Sequence, residues 1–419
     1  MLAWDPLYHF VNEKEPAVKL SVPASWEPAE LDGLLQINQE YRSVFEVFGS
    51  LRRSAAGSAH STASIRGRCH TRGEVESFVR AIQAKGIRFN YVLNASCLGN
   101  MEYSKTQRAK LVEELEWIVA ISDSVTVAIP YLIELLKKRF PIEIVVSVVA
   151  GINTVRQAKF YEELGADRLT LDISVNRNFS LLEAVREAVG CEIELLVNDG
   201  CLLHCPYRNY HYNIGSHASQ ECDIFYMEYP VLKCLLHRLR DPVEFLKMPW
   251  IRPEDLETYS AYASVFKIAG REKPTDWILN CVRAYSEGRY KANLLDLITF
   301  VSAGSHEFSA AMAGDAPTIY IDNAELNGFL DHFKRTPCLD CETCRYCETV
   351  AARVLKANDA EVNRQVHALE RFLPYVLRFD QPQYSTADHV VRCVYDAYIK
   401  QDLRWKIAKA AARFVRRWM

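Results

Sequence analysis

Short apolar runs recur along the N-terminal part of the chain: VKLSVP (18–23), VFEVFG (44–49), RFNYVLN (88–94), SVTVAIP (124–130), IEIVVSVV (142–149), DRLTLDI (167–173), EIELLVN (192–198) and SVFKIAG (264–270). Most are continuously apolar rather than alternating, which predicts parallel strands covered on both faces. Between them lie stretches of helical period, such as TRGEVESFVRAIQAKG, KTQRAKLVEELEWIVAIS, TVRQAKFYEELGA and SLLEAVREAVG. Eight strands with crossover helices over about 250 residues have the rhythm of a TIM-like (β/α)8 barrel. A doubly wound open sheet is the alternative, and the count of eight favours closure. The barrel is assigned to residues 15–290.

Two connections stand out. SLRRSAAGSAHSTASIRGRCHTRG (50–73) is long and rich in Ser, Ala, Gly and Arg, and the other runs over 199–260. Both leave the C-terminal ends of strands, where barrel enzymes carry their sites. After Tyr290 the rhythm changes. NLLDLITFVSAG predicts a helix, a cysteine run follows, TVAARVLKA predicts another helix, and 360–419 reads as wholly helical. Residues 291–419 are therefore a cysteine-rich, mainly helical C-terminal extension. Its last segment, 401–419, sets Leu403, Ile407, Ala411, Phe414 and Trp418 on one stripe among Arg and Lys residues. Three roles suit that helix: docking on its own domain, contact with a membrane surface or lipid carrier, or contact with RNA.

Of the 419 residues, 49% are hydrophobic and 25% charged, ordinary for a soluble globular protein. A net charge of −3 argues against a generic nucleic-acid binder, although it allows local basic patches. The chain has 13 cysteines, and its N-terminus lacks the basic-then-apolar pattern of a signal peptide. Reduced thiols in a cytoplasmic protein are the expectation, with membrane association only through 401–419. No run reaches the length of about 18 apolar residues that a transmembrane helix needs.

The cysteine spacing changes the picture most. PCLDCETCRYC places Cys338, Cys341, Cys344 and Cys347 on a three-residue beat. Each Cys-x-x-Cys lets two thiolates converge on one metal. The repeat matches ferredoxin ligation better than zinc ribbons, which use separated pairs, so a 4Fe-4S cluster is expected there with zinc as the alternative. A second set follows the seventh strand: Cys201 and Cys205 in NDGCLLHCPYRNYHYN, then Cys222 and Cys234. It would sit at the barrel mouth and hold a further cluster. Cys234 lies on the apolar face of a helix, VLKCLLHRL.

Polar residues at strand ends complete the mouth. Asp172, Asn176 and Arg177 follow the sixth strand, Asn198 and Asp199 the seventh, and Lys267 and Arg271 flank the eighth, while Arg208 and His211 lie in the cysteine loop. Asp172, Asn176, Arg177, His211, Lys267 and Arg271 are the candidate substrate-contacting residues, with Lys267, Arg271 and Arg177 as anion anchors. Arg52, Arg53, Arg66, Arg68 and Arg72 make the second-strand loop cationic. Hydrolase signatures are missing. His306-Glu307 is followed by FSA, so there is no His-Glu-x-x-His motif, and no Gly-x-Ser-x-Gly elbow occurs. A dyad of Cys201 or Cys205 with His204 or His211 is the remaining peptidase arrangement.

Several segments carry a family resemblance. SVVAGINTVRQAKFYEELGADRLTLDISVNRN is similar to the strand–Asn–helix–Glu-Leu-Gly-Ala–strand unit of the U-32, collagenase-like peptidase family. The strand entering NDGC falls where that family has its cysteine signature, and SVFKIAGREKPTDWILNCVRAY resembles its Lys-Ile-x-Gly-Arg segment and following helix. The resemblance covers about residues 15–300 and leaves Cys338–Cys347 outside. It implies relatedness to oxygen-independent hydroxylases that carry one 4Fe-4S cluster on four barrel cysteines and take oxygen from prephenate. The first three ligands map onto Cys201, Cys205 and Cys222. This chain departs from the pattern in three places. Its first two cysteines are closer together, its Glu-x-Phe-x-x-Gly lead-in is not intact at 194–200, and KMPWIRPEDL has no cysteine where the family has its fourth. Cys234 takes that place here. Family members act on ribosomal RNA, transfer RNA or a quinone precursor. The acidic charge of this chain favours a small or lipid-like metabolite over RNA. The resemblance also implies an electron donor and, since some members pair, a partner of the same family.

Overall fold

The computed structural model describes residues 18–51, 54–59, 70–220, 229–299 and 319–377. The strands are β1 (Leu20–Pro23), β2 (Val44–Gly49), β3 (Arg88–Leu93), β4 (Ser124–Val127), β5 (Glu143–Val146), β6 (Arg168–Thr170), β7 (Glu192–Leu196) and β8 (Val265–Lys267). They pair in parallel and in sequence order, and β8 returns to β1 to close a TIM-like barrel. Each lies within the apolar run that predicts it, and in β3 to β8 the last residues of the run lie beyond the strand. The end of the fifth run is a 3-10 turn, Val148–Ala150, and the sixth strand passes into another, Ile173–Arg177.

The crossover helices begin where their caps dictate. Thr71 and Glu74 form a reciprocal capping box at the start of Arg72–Gln83, and Thr154 and Asn178 accept from the first-turn amides of Val155–Glu163 and Phe179–Ala188. Leu34, Val79, Leu115, Leu132 and Leu182 seal the helices onto the strands.

The barrel interior is not wholly apolar. Arg168 is fully buried and bonds Glu46 twice, at 2.9 and 3.1 Å, and Glu194 at 3.1 Å. Ser21 and Asn90 also bond Glu46, Thr170 bonds Glu194, and Lys267 lies 3.3 Å from Glu194. Burial raises the Glu46 carboxyl, but Arg168, with Lys267 and Ser21, outweighs it and holds the group below the usual carboxylate range.

Two expectations fail in detail. The described part of NLLDLITFVSAG, up to Thr299, forms a 3-10 turn, Leu294–Leu297, after which Thr299 runs parallel to Asp199 and exchanges backbone bonds with Asn198 and Gly200. TVAARVLKA is helical only to Val354. Its end, β10 (Leu355–Ala357), pairs antiparallel with β9 (Ile319–Ile321), which gives the exposed backbone a partner. The 199–260 connection is largely helical: Arg208–Gln220, Tyr229–Arg240, Glu244–Lys247 and Leu256–Tyr259. The extension ends, as described, in the helix Asp359–Val376, which packs on Tyr229–Arg240 with a 2.6 Å Arg240–Glu370 ion pair. Barrel and extension share one hydrophobic core. Segment 401–419 and Arg52, Arg53, Arg66 and Arg68 lie outside the described residues. Among the described residues no helix is long and apolar enough to cross a membrane.

Candidate metal centre

The mouth is built where β7 and β8 end. Asn198 locks the two together: its Oδ1 accepts from Ala269 N at 2.7 Å, and its Nδ2 reaches Leu297 O at 3.0 Å. Asp199 then turns the chain by accepting from Cys201 N at 3.1 Å. Arg208, at the start of the next helix, places Nη1 2.7 Å from both carboxylate oxygens of Asp172. Burial raises the Asp172 carboxyl, yet Arg208 and Ser174 bring it below its ordinary range. Asp172 thus joins the end of β6 to the cysteine loop and caps Ser174.

The helix Tyr229–Arg240 brings Cys234 over this loop. Arg238, one turn further on the same face, donates to Cys234 Sγ at 3.3 Å and to Gly200 O. Cys201, Cys205 and Cys234 consequently lie within electrostatic range of one another. Burial, then Asp199, pushes the Cys201 thiol well above its ordinary value, the reverse of what a nucleophilic cysteine needs. His211 lies near enough to Asp199 to act on its charge. Cys222 is outside the described residues. Soft thiol donors with an N–H directed at one sulfur suit a thiolate-bound metal or iron–sulfur cluster. Among the described residues, however, no group of three or more His, Cys, Asp or Glu side chains converges closely enough to hold a metal ion. The donor chemistry fits, and gripping a metal would require the thiols to draw together.

The other predicted residues divide. Arg271 stands at the mouth: Nη1 donates to Ser50 Oγ at 2.7 Å and Nη2 to Ser58 Oγ at 3.0 Å. Ser58 bonds Asn94, which bonds Ser147, so the ends of β2, β3, β5 and β8 share one polar network. Burial lowers the Arg271 guanidinium to about 10, so it remains a cation at neutral pH, and its hydrogen bonds go to hydroxyls. Gly270 makes this placement possible: its φ is +126°, and a Cβ there would lie 2.5 Å from Trp277. Lys267 instead faces Glu194 and the Phe48 ring, 4.2 Å from its centroid, inside the barrel. Asn176 is buried and bonds Leu196 O and Pro249 O. Arg177 is also buried, against Trp250, Phe329 and Phe333, on the side of the extension.

In the extension, Asp340 caps the short turn Cys341–Cys344, and Arg345, at φ 51°, reverses the chain before the helix Tyr346–Val354. Cys347 lies within electrostatic range of Cys338 and Cys341. Cys344 turns toward His332, 3.3 Å away. Sequence reasoning missed His332 and Arg238. The four-residue interval from Cys234 to Arg238 is a usable signal, whereas His332 carries none in its spacing.

These observations define an α/β barrel protein with a thiol-lined mouth at the strand ends. The chain belongs to peptidase family U32. The profile of that family matches residues 60–223. A relative from Methanocaldococcus jannaschii, described as an uncharacterized protease, is 34% identical over 275 residues, 64% of this chain and 78% of that protein. A solved structure of a U32 peptidase, Mk0906, aligns at 22% identity with a TM-score of 0.47 over 62% of this chain and 96% of that one.

Proposed function

We propose that this chain is an iron–sulfur-dependent oxidoreductase, a hydroxylase that works without O2 on a small or lipid-like metabolite. What supports the reading is that Cys201, Cys205 and Cys234, from two separate elements, lie within electrostatic range of one another beyond the end of β7. With Cys222 they would supply the four thiolates of a 4Fe-4S cluster. Such a cluster, when bound, supplies one-electron chemistry at the mouth. Arg238 holds the sulfur of Cys234, and Asp172 with Arg208 fixes the loop that bears Cys201. Arg271 offers charge to a carboxylate, as on the oxygen donor that the family resemblance implies. A redox partner protein would deliver the electron.

The peptidase reading finds less support. The thiol of Cys201 is raised rather than lowered, and a Cys–His pair at hydrogen-bonding distance, Cys344 with His332, lies in the extension. The test is anaerobic purification with iron and labile-sulfide analysis, alongside turnover of candidate hydroxylation substrates. Cys205→Ala is expected to lose the mouth's iron together with turnover. Colourless protein that cleaves peptides until alkylated would overturn the reading in favour of a thiol peptidase, and zinc alone without redox turnover would favour a non-catalytic partner subunit.

A further inference from the structure

Arg177 is 1% exposed, yet its described partners include no carboxylate. Its Nη2 donates to Met248 O, while Nε and Nη1 have no hydrogen-bond partner among the described residues. Three rings surround the guanidinium, Trp250 at 4.8 Å and Phe329 and Phe333 at 5.0 Å from their centroids. Aromatic faces give a buried cation some relief, but they do not neutralise it or satisfy its N–H groups. Groups of opposite potential charge within its range are the thiols of Cys338 and Cys347 and the phenols of Tyr259 and Tyr346, and of these the thiols are the ones that metal binding ionises. Cys341 lies beside Cys338 and Cys347, and the ring stack Phe329–Tyr346–His332 leads on to Cys344.

We propose that Cys338, Cys341, Cys344 and Cys347 bind a thiolate-ligated metal centre, separate from the barrel mouth, with Arg177 as its buried counter-ion. Four thiolates around zinc, or around a 4Fe-4S core, leave net negative charge, and both would use the two idle N–H groups of Arg177. Binding draws the sulfurs inward, since the described thiols do not converge tightly enough to grip an ion as they are placed. The centre would then clamp the extension against the barrel through the Trp250–Phe329 contact. Arg177 acts on the centre as a positioning residue and touches no substrate.

The test uses the full chain, purified without air, as wild type, Cys347→Ser, Arg177→Met and Cys205→Ala. Metal and sulfide are quantified, and release to a chromophoric chelator is timed. Cys347→Ser is expected to lose one complement of metal that Cys205→Ala retains. Arg177→Met is expected to release that complement at least about tenfold faster, a loss equal to about 1.4 kcal/mol of binding. Iron with sulfide identifies a cluster and zinc without sulfide a zinc site, and either supports the proposal. Alkylation followed by mass spectrometry guards against misfolded variants, because in wild type the four thiols should react only after chelation. Equal alkylation before and after chelation, or unchanged metal in Cys347→Ser, would overturn the proposal. Neither result depends on the mouth, whose failure shows instead as iron unaffected by Cys205→Ala.

Discussion

The barrel interior around Arg168 and the barrel–extension junction around Arg177 each bury a whole guanidinium, but they treat its charge in opposite ways. Arg168 meets the buried carboxylates of Glu46 and Glu194, with Glu143 at 3.0 Å and hydroxyls filling the remaining positions. Arg177 meets a carbonyl and three rings, with thiols in electrostatic range. The first arrangement meets its charge with carboxylates of the protein itself, although Nε of Arg168 has no hydrogen bond among the described residues, and it belongs to stability. The second gains its negative charge only if the thiols ionise, which metal binding brings about. The proposed metal centre therefore rests on a buried cation without a carboxylate rather than on a cation at a strand end.

The sharpest way to break this contrast is Arg168→Met. It strands Glu46 and Glu194 in the barrel, and urea unfolding should show a loss of about 3–5 kcal/mol, whether or not metal is present. An unchanged midpoint would mean that the interior carboxylates take up protons at little cost.

Glu30 tests the same logic with the sign of charge reversed. It is fully buried, its described bonds come from Ser25 and Trp26, and burial outweighs these to raise its carboxyl to about 7. The folded state thus keeps a proton that the unfolded chain gives up above its ordinary value of 4.5. The resulting stability is complete below that value and is lost as pH rises toward 7, by up to about 3 kcal/mol. The difference in unfolding free energy between wild type and Glu30→Gln should fall across this window. A flat difference would show that a cation or water compensates Glu30.

The smallest expected effect is that of Arg177→Met on metal-depleted protein. An apolar side chain of similar length replaces a charge that nothing in that state neutralises, so stability should change by no more than about 1 kcal/mol. A loss as large as that of Arg168→Met would make Arg177 a structural cation like the first and remove the contrast.

The eight strands were legible because parallel strands buried on both faces are mostly continuous apolar runs, as in Ile144–Val146 of β5. The caps Thr71, Thr154 and Asn178 rest on similarly local bonds, to amides three residues on. Other features depended on partners distant in sequence. Leu355–Ala357 continues a helical pattern but finds Ile319–Ile321 beside it and becomes a strand. Arg177 and Arg271 both follow barrel strands and read alike in sequence. One is drawn under the extension by Trp250 and Phe329, and the other is held at the mouth by Ser50 and Ser58.

The sequence by itself determined the barrel, its strand boundaries to within a turn, and the presence of two cysteine groups, because hydrophobic period, helix caps and Cys-x-x-Cys spacing are local properties. Only the tertiary structure decided which cation lies near which group of cysteines. It brought Arg238 and Gly200 to one group, bonded Arg177 to Met248 within electrostatic range of the thiols of the other, and left Arg271 facing hydroxyls. A long side chain reaches whatever the packing of distant elements places beside it, and spacing along the chain does not encode that.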